Sequence, residues 1–410
     1  METTLKFYRG TNTIGGTTFS IEYKDERFIA DFGTTMTSPL YDDLFDVRVD
    51  RIEDMITLGK APDIPNFYDN NHQKTVVGIS HMHLDHNGCI EHIPSDIPIW
   101  TSNGSKKLYH HLTVIEDGQP GVTSDRLTEC QVNQSYCIDQ YIHITFIPVN
   151  HDVLGSCAIR IDTPDTSIMY SGDIKFEARD KDTLQWVKES YNVDYLIIET
   201  TSYSFDEENK AERIDVDFDE ILMTHQNFIL NLYHRNIDNI IQWIDKARQL
   251  NYELIVDEKI AYLIEQYYKY DLSHVSYYDS VKPAQTVNIQ SIRKITFDEG
   301  LGKQNVIIQH DYRNMLLLNK KSLSHYKYLH NNGMPLGDFD PSFKVLKEWL
   351  LKLDIEFISF HQRGHASIEE LNRVVELIQP GVLIPQHGFH PERLQYKHRI
   401  LPIPYEEYVL

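Results

Sequence analysis

Cysteine is scarce in this chain: Cys89, Cys130, Cys137 and Cys157 are the whole complement of 410 residues, and no two form a C-x-x-C pair. That spacing excludes a disulfide-stapled fold or a zinc knuckle and leaves buried free thiols as the expectation. Long apolar runs are missing as well. No stretch approaches the roughly 20 residues needed to span a bilayer, and the N-terminus shows no cationic segment leading into an apolar one. The expectation is a cytoplasmic protein without a membrane partner. Internal repeats and low-complexity linkers are also lacking. Cations are in short supply: 39 Lys and Arg against 61 Asp and Glu give a net charge of −22. Such a balance repels polyanions, so a broadly basic nucleic-acid surface is excluded and any such binding must be local. Residues 302 to 327, basic and interleaved with Tyr, read either as a groove tracking a nucleic-acid strand or as a solvated helix face.

What the chain does carry is 20 His, 41% hydrophobic residues and enough length for two domains with ample cores. The stretch "SHMHLDHNG", residues 80 to 88, follows "KTVVGI", a short β-branched run that reads as a buried strand, and leads into a helix-like segment. In extended backbone, side chains two apart point the same way, so His81 and His83 can grip one cation. Asp85 and His86 lie across the turn, placed for a second. Neutral imidazoles with a carboxylate suit zinc or a similar divalent ion. Further candidates follow apolar, β-rich runs: His151 after "HITFIPVN", Asp173 after "TSIMYSG", Glu199 in "DYLIIE", His361 and His365 in "EFISFHQRGHAS", and His387 in "GVLIPQHG". Acids and histidines at strand ends along one sheet edge are how an α/β scaffold assembles a site from remote segments.

These residues resemble the motifs of metallo-β-lactamase-fold hydrolases of the β-CASP branch, the nucleases that include ribonuclease J. The H-x-H-x-D-H motif, His151 and the aspartate of "SGD" are shared across that fold superfamily. Glu199 in "IIETT", His365 in "RGHAS" and His387 in "IPQHG" resemble the three additional β-CASP motifs. The resemblance spans nearly the whole chain and, with Leu410 shortly after the last motif, is to a short form. It implies an αββα metallo-β-lactamase sandwich interrupted by an inserted α/β β-CASP cap. The expected layout is residues 1–204 for the first part of the sandwich, 205–355 for the cap and 356–410 for the closing part. The change of pattern supports that layout, with helix-then-strand alternation replacing the β-rich opening after about residue 205. "IDNIIQWIDKARQL" places Ile237, Ile240, Ile241, Ile244 and Ala247 on one stripe, and Asp340-Pro341 reads as a helix start.

The resemblance further implies two divalent metal ions, zinc by donor type. His81, His83 and His151 would hold one, Asp85, His86 and His387 the other, and Asp173 would bridge. His365 would be the general acid, oriented by Glu199, with Asp85 contributing to catalysis as well as to the metal. Where the family commonly reads Ser-Gly-His-Ala, this chain has Arg363-Gly364-His365-Ala366. An Arg there forks onto a substrate phosphate or pairs with a surface carboxylate; Ser367 is the other candidate for substrate binding. The implied activity is metal-dependent cleavage of RNA. A DNA-directed nuclease and a non-nucleolytic hydrolase or interaction protein are the alternatives, the last favoured by the acidity. Monomer and homo-oligomer both stay open.

Overall fold

A computed structural model describes residues 2–35, 51–69, 73–176, 181–205, 218–320, 323–335, 337, 340–359 and 363–410. The chain divides into two compact units. The first comprises Met1–Thr113, Asp117–Asp206 and Gly364–Leu410; the second comprises Val114–Glu116 and Glu207–Arg363. No helix among the described residues is long and apolar enough to cross a membrane.

The first unit contains two sheets. One runs in the order Glu407–Val409, Thr4–Arg9, Thr18–Tyr23, Glu26–Ala30, Lys74–Ile79, Ile99–Ser102, Leu127–Cys130. The other runs Val382–Gln386, Tyr195–Glu199, Ser167–Tyr170, Cys157–Asp162, His143–Pro148, Ser135–Cys137. The period-2 apolar pattern decides how they pack. Leu5, Phe7, Phe19, Ile21 and Phe28 of the first sheet share one buried cluster with Ile144, Phe146, Ile159, Ile161 and Ile197 of the second, so the two sheets form a sandwich. Alternate residues of the second sheet, Ile147, Ala158, Met169, Leu196 and Ile198, face the other way. They are covered by Trp186 of the helix Lys181–Glu189 and by Leu371, Val374, Val375 and Ile378 of the helix Ile368–Ile378.

The pairing register brings the site residues to one edge. Ser167–Tyr170, Tyr195–Glu199 and Val382–Gln386 are mutually parallel, with Tyr170 opposite Ile197 and Glu199 opposite Gln386. Their carboxyl ends therefore coincide, and Asp173, Glu199 and His387 emerge side by side.

The second unit holds a wholly parallel sheet, in the order Arg293–Lys294, Val275–Tyr278, Glu253–Asp257, Val306–Gln309, Asn227–Leu232, Lys327–Asn331, Glu356–Ser359. Because Glu356–Ser359 pairs with Lys327–Asn331, this unit continues to Arg363, past the boundary at 355 expected from the sequence. The helix Ile237–Gln249 buries Ile237, Ile240, Trp243, Ile244 and Ala247; Trp243 joins the buried face beyond the expected stripe, while Ile241 is only half-buried. Asp340 caps the helix Pro341–Lys352 by accepting from Ser342 N–H, with Pro341 in its first turn, as the sequence indicates. In the basic stretch, Lys303 pairs with Glu253, Arg313 with Asp311 and Lys327 with Glu356, while Tyr326 is buried in the core. Its described cations therefore already face carboxylates; the side chain of Lys320 and residue Lys321 lie outside the described residues, as does 206–217 of the acidic stretch 205 to 220, where the sequence leads one to expect the chain to cross into the cap.

Candidate metal centre

The strand Lys74–Ile79 delivers Ser80 and His81 to the sheet edge, and His83 is the N-cap residue of a one-turn helix, Leu84–Asn87, that carries Asp85 and His86. The chain thus turns from extended to helical inside the motif and splits its side chains into two sets. Ligand-type atoms of His81, His83, His151 and Asp173 all lie within 4.8 Å of one another, as do those of Asp85, His86, Asp173 and His387. All seven expected ligands are brought together, with Asp173 common to both sets.

Asp173 Oδ2 stands 3.7 Å from His81 Nε2, 3.8 Å from His151 Nε2, 3.3 Å from His86 Nε2 and 3.6 Å from His387 Nε2. Asp85 Oδ2 is 3.7 Å from His86 Nε2 and 3.6 Å from His387 Nε2. Two donors at ~2.0–2.1 Å from a tetrahedral zinc are about 3.3 Å apart, so these spacings are those of ligands around an ion, slightly relaxed. The Nε2 atoms of His81, His86 and His387 and Oδ1 of Asp173 are buried and make no hydrogen bond among the described residues. Buried polar atoms left without partners on this scale are costly. The residues present fit two divalent ions, which would satisfy those atoms. His387 adopts φ 55°, a left-handed conformation rare for a side-chain-bearing residue and typical of strain held at a functional position.

Why the Nε2 atoms face inward is settled one layer out. His86 Nδ1 donates to Asp31 Oδ2 at 2.7 Å, and His151 Nδ1 donates to the Gly364 carbonyl at 2.7 Å. Ser80 Oγ donates its proton to Asp31 at 2.8 Å and so can only accept from His81 Nδ1, 2.9 Å away. His387 Nδ1 pairs with Thr17 Oγ1 at 2.7 Å. With the proton on Nδ1, each Nε2 keeps its lone pair for a metal. Asp31 also accepts from Ser80 N–H and Tyr170 O–H, both at 2.7 Å, and is fully buried. Sequence reading missed Asp31, Ser80, Thr17 and Asp152. The available signal was an acid or hydroxyl at the end of a predicted strand or beside a candidate histidine, as in "FIADFG" and "NHD".

Without an ion the electrostatics of the cluster are mixed: burial opposes charge on His86, but the Asp173, Asp85 and Asp31 carboxylates override it and hold that imidazole well above its ordinary value, whereas two other ligands are pushed the opposite way. Burial, reinforced by His86, holds the His81 imidazole well below its ordinary value, and burial takes His83 down to about 4 despite Asp152 nearby. Burial opposes charge on Asp173 too, yet His387 and His86 keep its carboxyl well below the usual carboxylate range.

Beside this cluster, His365 Nδ1 lies 2.9 Å from Glu199 Oε1, and its ring centroid is 5.1 Å from that of His151. Glu199 is fully buried, and its carboxylate also accepts from Ile174 N–H and Thr201 N–H. Burial disfavours a charged His365, but the Glu199 carboxylate overrides it and raises the imidazole to about 10. His365 can therefore hold a proton at neutral pH, with a side chain 28% exposed. Ser367, expected on the substrate, has its hydroxyl engaged as the N-cap of Ile368–Ile378 in a capping box with Glu370. Arg363 is exposed and belongs to the second unit; His361 lies outside the described residues.

Residues 59–264 match the family described as "Beta-lactamase superfamily domain". Ribonuclease J of Mycoplasma genitalium is 23% identical over 93% of this chain and 67% of its own length. Ribonuclease J of Pyrococcus abyssi is 24% identical over 41% of this chain, which spans only 37% of that relative. "Probable RNase MJ4" of Methanocaldococcus jannaschii is 24% identical over 81% of this chain and 86% of its own. A crystal structure of a protein of unknown function from Enterococcus faecalis superposes over the whole of both chains, with a TM-score of 0.80 and 27% identity. The two-sheet sandwich, the histidine and aspartate cluster at its edge and the family match together place the chain in the beta-lactamase superfamily, as a metallo-β-lactamase-fold protein similar to ribonuclease J.

Proposed function

We propose that the chain is a metal-dependent phosphodiesterase that cleaves RNA, of the β-CASP type, with Glu207–Arg363 corresponding to the inserted β-CASP domain. The observation that carries the reading is one carboxylate oxygen, Asp173 Oδ2, within 3.3 to 3.8 Å of four imidazole nitrogens, next to a proton-holding His365–Glu199 pair. His81, His83, His151 and Asp173 would hold one ion, and Asp85, His86, His387 and Asp173 the other. Two such ions, zinc by donor type, would supply an activated water at neutral pH and neutralise the charge growing on the phosphoryl oxygens.

The protein's own residues supply the rest. His365 holds a proton for the departing alkoxide, and Glu199 keeps that imidazole oriented and charged through Nδ1. Ser367 fixes the start of the helix behind His365 through its cap, and Arg363 is assigned to a substrate phosphate. The names of the ribonuclease J relatives support RNA as the substrate class. The net charge of −22 favours a second reading, a hydrolase of small esters on the same centre. Incubating the metal-loaded chain with end-labelled single-stranded RNA and DNA and sizing the products separates these. RNA cleavage is expected; cleavage of DNA alone, or of neither polymer alongside turnover of a small phosphodiester, rejects the proposal.

A further inference from the structure

We propose that Asp152 is the positioning residue for His83: its carboxylate accepts from His83 Nε2–H and so commits His83 Nδ1 to the first ion. The inference rests on the metal-centre reading above and adds a residue that the H-x-H-x-D-H motif does not contain.

The four other histidines of the centre each have Nδ1 engaged by a group outside it, which leaves Nε2 inward. His83 is reversed. Its Nδ1 lies 3.2 Å from His151 Nε2, and His151 has already placed its proton on Nδ1 to donate to the Gly364 carbonyl. Without an ion the two nitrogens are in hydrogen-bond contact; with an ion bound, nitrogens at that spacing would form an edge of one coordination shell. Nδ1 is then the metal-facing atom of His83, and the ring proton sits on Nε2.

Asp152 Oδ1 lies 3.4 Å from that Nε2 and 3.2 Å from His151 Nε2. His151 Nε2 has no proton to give, so of these two neighbours only His83 can donate. Asp152 Oδ1 is buried and makes no hydrogen bond among the described residues, the 3.4 Å approach to His83 Nε2 included, so a small turn of either side chain would give this acceptor its partner. Room for the carboxylate comes from Gly364: a Cβ there would stand 2.8 Å from Asp152 Oδ2 and 3.0 Å from its Cγ. Gly364 therefore serves two ligands, through its carbonyl to His151 and through its missing side chain to the partner of His83. An anionic acceptor on the far nitrogen fixes the tautomer and raises ligand basicity, and losing such a partner typically lowers metal affinity 10- to 100-fold.

The test uses the full chain, stripped with chelator and titrated with Zn2+ against a competing indicator. Asp152→Ala should weaken one of the two sites by about 10- to 100-fold and leave the other unchanged. Asp152→Asn, whose amide oxygen still accepts, should lose less, and its matching size guards against a folding failure that circular dichroism would reveal in the alanine variant. Gly364→Ala, which crowds the carboxylate while keeping Asp152, should weaken the same site. In the Zn2+-loaded parent, histidine nitrogen NMR should show His83 metallated at Nδ1 and protonated at Nε2, and the Co2+ spectra of the parent and Asp152→Asn should report the same coordination number. A parent that binds two ions while Asp152→Ala matches it within about twofold overturns the assignment. So does metallation of His83 at Nε2, or a Co2+ coordination change marking Asp152 as a ligand. A parent that takes up no zinc overturns this inference and the metallohydrolase reading together.

Discussion

Replacing Asp31 by asparagine changes one carboxylate oxygen into an amide nitrogen in a fully buried position. That carboxylate accepts from four donors: Ser80 N–H at Oδ1, and Ser80 O–H, Tyr170 O–H and His86 Nδ1–H at Oδ2. In Asp31→Asn the amide nitrogen faces a donor from which it cannot accept in either orientation, so at least one buried donor, and three if the nitrogen takes the Oδ2 place, loses its partner. Hydrogen bonds to charged acceptors contribute about 1.5–3 kcal/mol each, and losses inside one network are not additive, so the expected destabilisation of the metal-free chain is about 3–5 kcal/mol. The second consequence is at the metals. Asp31 fixes His86 of one set directly and His81 of the other through Ser80, so both sites should bind Zn2+ more weakly although Asp31 touches neither ion. Urea unfolding of the chelated proteins gives the first quantity and zinc titration of the refolded variant the second. A variant within about 1 kcal/mol of the parent that also takes two zinc ions at parental affinity would refute the reasoning, since no network of this burial can lose its acceptor so cheaply.

Four other outcomes are expected. His387→Ala should lose metal and activity together. His365→Ala should keep both ions and lose about 10²–10⁴ in RNA turnover, yet cleave a nitrophenyl phosphodiester nearly as the parent does; metal loss with His365 would move this residue into the ligand set. His310 is buried in the second unit, where burial pushes its imidazole from 6.5 down to about 4. A depressed folded value means stability present in full above pH 6.5 and lost as pH falls through 4, about 2 kcal/mol of it between pH 7 and 5. Unfolding of His310→Gln at those two pH values should show a gap smaller by that amount, and an unchanged gap would remove His310 as a source of acid sensitivity. Ser367→Ala should cost about 1 kcal/mol through the lost cap with KM for RNA unchanged; a raised KM at unchanged stability would return Ser367 to the substrate.

The residues of the candidate metal centre could be read before folding because they lie at the ends of apolar, β-rich runs, and those strand ends converge on one sheet edge. Their supporting residues could not. Asp31, Thr17 and Ser80 acquire meaning only once strands Glu26–Ala30, Thr18–Tyr23 and Lys74–Ile79 are placed side by side, which a linear pattern does not encode. The helix stripe at Ile237–Gln249 was legible apart from its margins, because the buried arc is turned towards Trp243, three residues after Ile240 and four before Ala247, which leaves Ile241 at its edge. The basic stretch misled for a related reason: Lys303 and Lys327 look like free cations until Glu253 and Glu356 arrive from other strands. The boundary near 355 fell short because Glu356–Ser359 extends the sheet of the second unit, a pairing that depends on its partner strand.

The central claim is that two ions held around Asp173 enable phosphodiester cleavage. Its most direct test follows cleavage of end-labelled RNA by chelator-stripped chain as Zn2+ is returned in measured equivalents, with bound zinc determined on the same samples. The account predicts no cleavage without metal and activity that rises to a plateau as occupancy reaches two ions per chain. Cleavage that persists after complete metal removal, or a folded chain carrying two ions that leaves RNA intact, would contradict it.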